Sequence, residues 1–203
     1  MASPFSNQGS AIDTFLNSNE PTTNHYSATD IQVGEWNAGA AIARTLIKWD
    51  LSSIPADATV TSATLSIWTQ SDASDNTRTI RAYRVLRTWV ETQATWNAYS
   101  TGNNWGTAGC ANTSTDREAT DIGSVSVAHN LAADTEVAIS LTPAEVQEWI
   151  SGALTNNGVL IQADTETNDL WTYDSTQGGD AIRRPKLVIA YTLPEAPGII
   201  NFI

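Results

Sequence analysis

Short apolar runs rich in Val, Ile, Leu and Trp recur along this 203-residue chain, each closed off within a few residues by Gly, Ser, Thr, Asn or Asp. Runs this short, punctuated this often by turn formers, cannot supply amphipathic helices and force an all-β fold. The spacing predicts strands over Ala11–Leu16, Asp30–Val33, Ala43–Trp49, Thr61–Thr69, Thr79–Val85, Glu136–Leu141, Gly158–Ala163, Leu170–Tyr173 and Pro185–Tyr191. In Thr61–Thr69, Ala63, Leu65 and Ile67 alternate with Thr64, Ser66 and Trp68, so the first set faces a core. Ala43–Trp49 carries Leu46, Ile47 and Trp49 on both faces and reads as a central strand. Nine strands are enough for two packed sheets, a β-sandwich.

One helix is signalled. Thr142 is placed as N-cap, Pro143 at the first helical position, Glu145 as partner in a capping box and Gly152 as the stop. Val146, Trp149 and Ile150 share one face, which predicts that the helix plugs an open end with Trp149 in the core. The segment from Tyr99 to Ala128 is polar and weakly periodic and reads as an excursion between sheets. The division expected is an N-terminal arm (1–10), a sandwich (11–192) and an apolar tail (193–203) in which Ile199, Ile200, Phe202 and Ile203 follow two prolines. These four, with Phe5, are the expected docking residues, the tail onto a partner or onto the domain's own surface, and a homo-oligomer is among the partners considered.

Ten Lys and Arg against 22 Asp and Glu leave a formal charge of −12, which repels a phosphate backbone and disfavours anionic membranes and anionic polysaccharides. Cys110 is the single cysteine, so there is no intrachain disulfide and no thiolate cluster. The sequence reads as a soluble product made without an export signal or membrane span. Nucleophile-elbow, P-loop, dinucleotide, HExxH and EF-hand patterns are absent. His25 and His129 sit in polar, loop-like sequence, and Glu91 is the carboxylate to consider first for glycosidase chemistry, with bonding to the Thr95–Asn97 turn as its structural role. Calcium is a candidate at oxygen-rich loops, Asp30 with Asn24 or the run 164–169. Asp50 and Arg184 are expected to clamp loops, and Trp89, Trp96 and Trp105 to pack over the sandwich edge.

Three blocks carry a family resemblance: Arg44-Thr-Leu-Ile-Lys-Trp-Asp-Leu-Ser-Ser-Ile-Pro55 with Val60-Thr-Ser-Ala-Thr-Leu-Ser-Ile67; Tyr83-Arg-Val85 with Trp89-Val-Glu91 and Thr95-Trp-Asn97; and Arg184-Pro-Lys-Leu-Val-Ile-Ala-Tyr191. Asp13-Thr-Phe-Leu16 and Ile31-Gln-Val-Gly34 fit the same pattern. Together they resemble the DNRLRE domain, which is related to the disaggregatase repeat and to family-96 carbohydrate-binding modules. The resemblance implies a jelly-roll-like β-sandwich used as a non-catalytic module on secreted, cell-surface or virion proteins.

Sugar binding requires an exposed aromatic face flanked by planar polar groups. Trp68, Tyr83 with Arg81, and Trp171 with Tyr173 are the residues expected to form such a platform; in the alternative reading the excursion covers that face. Two functions follow: a structural or decoration component of a virion or similar surface assembly, with a glycan-binding face, or a carbohydrate-binding module derived from a secreted polysaccharide-processing enzyme. Neither is an enzyme.

Overall fold

The computed structural model describes residues 3–7, 11–36 and 41–195. In chain order the strands are β1 (Ser3–Asn7), β2 (Ala11–Asn17), β3 (Asp30–Trp36), β4 (Ala41–Trp49), β5 (Thr59–Asp72), β6 (Arg78–Val85), β7 (Ala98–Ser100), β8 (Asn103–Asn104), β9 (Arg117–Val127) and β10 (Glu136–Leu141). Helix α1 (Pro143–Ile150) follows, then β11 (Val159–Ala163), β12 (Leu170–Asp174) and β13 (Lys186–Thr192).

The all-β reading with one short helix holds, but the architecture is not two separate sheets. Antiparallel pairing runs β5-β10-β9-β6-β11-β4-β3-β12 and returns from β12 to β5, closing eight strands into a barrel. Strands long enough to change partners make the closure. β5 pairs with β13 along residues 59–66 and with β12 along 69–72, while β4 pairs with β3 at 41–43 and with β11 at 45–47. Strand alternation alone carries no record of such a hand-over. Gly34 lets β3 and β12 approach: its φ is +119°, and a Cβ there would lie 1.9 Å from the Asp169 carbonyl oxygen.

One face of each barrel strand fills a common core that includes Leu65, Ile67, Ile80, Ile139, Ile161 and Leu187, all at most 1% exposed. The helix does plug one end, with Val146, Trp149 and Ile150 in this core. Gln147 fastens it, accepting from Val60 N at 2.8 Å and donating to Ala58 O at 2.9 Å. Gly152, at φ +75°, ends the helix as expected. The capping box does not form: Thr142 makes no side-chain cap bond, and the Glu145 carboxylate pairs instead with Arg84. Glu118 and Glu148 complete the ring of carboxylates around that buried guanidinium, tying β9 and α1 to β6.

Besides the short β7–β8 pair, two strands of the main sheet fall outside the expected ones. β1 lies in the supposed arm, paired with β13 so that Phe5 faces Ile189, and Phe5 packs against the core. β9 lies in the supposed excursion. Its alternation is blurred because its pairing with β6 shifts register on both sides of Tyr83, leaving inward Ile122 and Val127 out of simple phase. The covering segment is therefore 86–116. It lies over the outer face of β2, β4, β6 and β11, where Leu16, Leu46, Val85 and Leu160 join Trp89, Trp105 and Cys110 in a second core.

Candidate functional site

The expected aromatic platform does not form. Trp171 and Tyr173 are both 0% exposed, because β12 closes the barrel and turns these rings into the main core. The Trp171 indole N–H donates to Ala128 O at 3.2 Å. Trp68 is half-buried on the outer face of β5, and Arg81 and Tyr83 stand on β6, with β10 and β9 between the two strands. Three strand spacings separate them, roughly 14 Å. Arg81 is held by Asp121 at 2.7 Å, and the Arg117 guanidinium sits 4.0 Å from the centre of the Tyr83 ring, which packs on the second core. Phe5 is packed rather than free to dock, and Ile199, Ile200, Phe202 and Ile203 lie outside the described residues.

Glu91 does not bond the Thr95–Asn97 turn. Its carboxylate accepts from Asp13 N at 3.3 Å, and its carbonyl accepts from the Asn24 side chain at 2.8 Å. Asp13, 1% exposed, accepts from Thr176 N at 2.7 Å. Burial is the main force pushing the Asp13 carboxyl up to about 7, with the like charge of Glu91 adding to it against the Thr176 hydrogen bonds. This pair stitches β2, the covering segment and the β12–β13 loop together. His25 stacks on Phe15 with ring centres 4.1 Å apart, and His129 is exposed. In the loops considered for calcium, Asn24 turns its amide to Glu91 O and Ala94 O, and Asp169 accepts from Arg78, Asp75 N and Asn76 N. Among the described residues no group of three or more His, Cys, Asp or Glu side chains is placed to hold a metal ion. Asp50 and Arg184 do clamp loops, Asp50 accepting from Ser52 N at 2.9 Å and Arg184 donating to Gly178 O at 3.1 Å.

A concavity lies at the α1 end of the barrel, where none of the expected binding residues stands. It is a cleft of about 730 Å³ between the end of β4, the turn 50–56, α1 and Asn156. That size lies within the range of small-ligand sites. Its construction follows from the sequence: Asp50 caps the turn out of β4, the Ile54 N–H closes it on Leu51 O at 3.0 Å, and Pro55 turns the chain toward β5. Asn156 holds the far wall by donating to Trp49 O at 2.8 Å and accepting from Gly158 N at 3.0 Å.

Two tryptophans line this cleft, Trp49 at 2% and Trp149 at 7% exposure, and the indole N–H of each is buried without a hydrogen-bond acceptor in the protein. Buried donors left unpaired are rare, since each costs about 1–3 kcal/mol. Trp89, Trp105 and Trp171, by contrast, all donate to backbone carbonyls. Around the two indoles stand Lys48, whose ammonium is 5.8 Å from the Trp89 ring centre, the Asp50 carboxylate, Ser52 and Asn156. Hydrogen bonding from Ser52 holds the Asp50 carboxyl below its ordinary value, so it accepts hydrogen bonds at neutral pH and does not act as a proton donor. Apolar surface comes from Ile12, Leu51, Ile54 and Pro55. Sequence reasoning passed over this site because it marks Trp49 and Trp149 only as core residues; nothing in either run signals that their N–H groups go unpaired.

A second hollow of about 530 Å³ lies along the covering segment, lined by Thr22, Gln93, Thr95, Asn97 and Trp105 among others. Its polar groups already have partners: Gln93 accepts from Thr101 N, Thr95 from Ala98 N, and Trp105 donates to Thr95 O.

Eight antiparallel strands closed into a barrel and plugged at one end by α1 define an all-β barrel fold. The family model of the disaggregatase related repeat domain matches residues 13–189, and the chain belongs to that family. The match spans every barrel strand and the cleft. No curated protein matches the chain. No helix among the described residues is long and apolar enough to cross a membrane.

Proposed function

We propose that this domain is a non-catalytic carbohydrate-binding module and that the cleft at the α1 end is its site. The observation that supports the reading is the cleft itself, lined by the rings of Trp49 and Trp149 with Lys48, Asp50 and Ser52 beside them. A sugar ring suits this lining: an apolar C–H face for the indoles, Ile54 and Pro55, and hydroxyls for Lys48 and Ser52. The carboxylates with raised pKa are each engaged in structural bonding, Asp13 accepting from Thr176 N, Glu91 from Asp13 N and Asp174 from Gln70, which supports a binding role over hydrolysis.

Kinship to DNRLRE domains and family-96 carbohydrate-binding modules, drawn from the three motif blocks, is part of this proposal. So is display on a surface assembly, a virion or an extracellular particle, for which the acidic charge of −12 favours solubility and the tail 198–203 provides the contact. Deleting 198–203 is expected to abolish incorporation into such a particle; unchanged incorporation ends the assembly reading.

The binding reading is tested on an array of neutral and acidic polysaccharides with the wild type, Lys48→Ala and Ala56→Trp, the last of which fills the cleft from its exposed rim. Both variants are expected to keep the wild-type melting temperature and to lose binding at least tenfold. Retained binding by both would place the sugar elsewhere.

A further inference from the structure

The barrel end opposite the cleft carries the one tryptophan of the exposed class among the described residues, Trp36, at 51%. It stands at the last position of β3, paired with Ala41 at the start of β4, whereas the cleft begins at Trp49 at the other end of that strand. Eight residues of strand separate the two, roughly 26 Å.

The surroundings of Trp36 are polar and fixed in place. Beside it, the Glu35 carboxylate is 6% exposed and accepts from Asn168 N at 2.6 Å. Asn168 adopts the left-handed conformation at φ +52°, and its side-chain amide donates to Asp75 at 2.8 Å. Beneath that loop, fully buried Asp169 accepts from Arg78 Nε at 2.6 Å, Asp75 N at 2.8 Å and Asn76 N at 2.7 Å. These bonds lock the β5–β6 and β11–β12 loops against each other, so the polar rim is organised before any ligand arrives. Trp36, Glu35, Asn168, Ala73 and Leu170 share a hollow of about 90 Å³. At about 30 Å³ per water, that holds an exocyclic hydroxymethyl group and not a sugar ring.

We infer that Trp36 and this rim form a second carbohydrate site, in which a pyranose stacks on the exposed indole and sends its exocyclic arm into the hollow beside Asn168 and Glu35. A protein-docking patch needs contiguous apolar surface, and here Trp36 is a single exposed indole whose hollow is lined by the Glu35 carboxylate, the Asn168 amide, Ala73 and the buried Leu170. That is the composition of a sugar platform: one aromatic face and planar hydrogen-bonding groups at its edge. The inference rests on the reading of the domain as a carbohydrate-binding module but on different residues, and it makes the module bivalent, with sites at opposite ends of the barrel.

The test is a titration of the full chain with cellohexaose, xylohexaose and mannohexaose, following the indole N–H resonances by NMR and binding by calorimetry, in the wild type, Trp36→Ala, Trp36→Phe and Lys48→Ala. The expected result is a response of the Trp36 indole that persists in Lys48→Ala, an affinity at this site at least tenfold lower in Trp36→Ala, and partial retention in Trp36→Phe. A response confined to the cleft tryptophans, with an unchanged isotherm in Trp36→Ala, overturns this site and leaves the cleft standing. A response confined to Trp36 supports it and overturns the cleft, and silence at both overturns both.

Discussion

Replacing Asp116 with alanine is expected to cost about 4 kcal/mol, because one buried carboxylate organises most of the covering segment. Asp116 is 0% exposed and accepts from Gly106 N at 2.7 Å, Thr107 N at 2.9 Å, Asn112 N at 3.1 Å and the Thr115 hydroxyl at 3.1 Å. Burial alone would raise its pKa, but the bonds from Thr107, Gly106, Asn112 and Thr115 outweigh it and hold the carboxyl below its ordinary value. Its stabilisation is therefore fully present above the unfolded-chain value of about 3.9 and is lost as pH falls through the depressed folded value, so it survives mild acid. Trp105 and Cys110 of the second core lie within the loops that this carboxylate fastens. Hydrogen exchange on Asp116→Ala should show amides of 86–116 losing protection while barrel amides keep theirs. Loss of less than 1 kcal/mol, or simultaneous loss of protection throughout, contradicts this account of the segment.

Asp13 acts in the opposite direction. Its carboxyl is pushed up to about 7, so the folded state holds the proton more tightly than the unfolded chain does. Stability from this group is fully present below the unfolded value near 3.9 and is lost as pH rises through about 7. The interval corresponds to about 4 kcal/mol at most. Glu91, beside it, is raised mainly by burial and adds with the same sign. Asp13→Asn removes the ionisation while leaving a side-chain oxygen to accept from Thr176 N. Urea unfolding at pH 5 and pH 8 is expected to show the wild type losing about 2.5 kcal/mol more than Asp13→Asn over that range. Equal losses in the two proteins contradict a buried, protonated Asp13.

Local pattern was enough to find most of the barrel. The alternation of Ala63, Leu65 and Ile67, the two-sided burial of Leu46 and Ile47, and the Pro143 and Gly152 signals about α1 all correspond to what the chain does. What local pattern misses is which partners the strands take and which side of a strand is inside. Leu170-Trp-Thr-Tyr-Asp174 shows that Trp171 and Tyr173 share a face, and only the closure of β12 between β3 and β5 shows that this face is the core. In β9, shifts of register against β6 erase the period of two that would have revealed the strand. The cleft is harder still to read. Trp49 and Trp149 are brought together by closure of the barrel and docking of the helix, and their unpaired N–H groups leave no mark on composition or periodicity.

The central claim, that the cleft at the α1 end holds carbohydrate, is tested most directly by following the eight tryptophan indole N–H resonances while a glycan identified on the array is titrated into the wild-type protein. Trp49 and Trp149 enter that titration without acceptors, whereas Trp89, Trp105 and Trp171 already donate to Asn157 O, Thr95 O and Ala128 O. The account predicts large, saturable displacements of the Trp49 and Trp149 indole signals, with those of Trp89, Trp105 and Trp171 nearly stationary. Saturable glycan binding that leaves both Trp49 and Trp149 unmoved would contradict it.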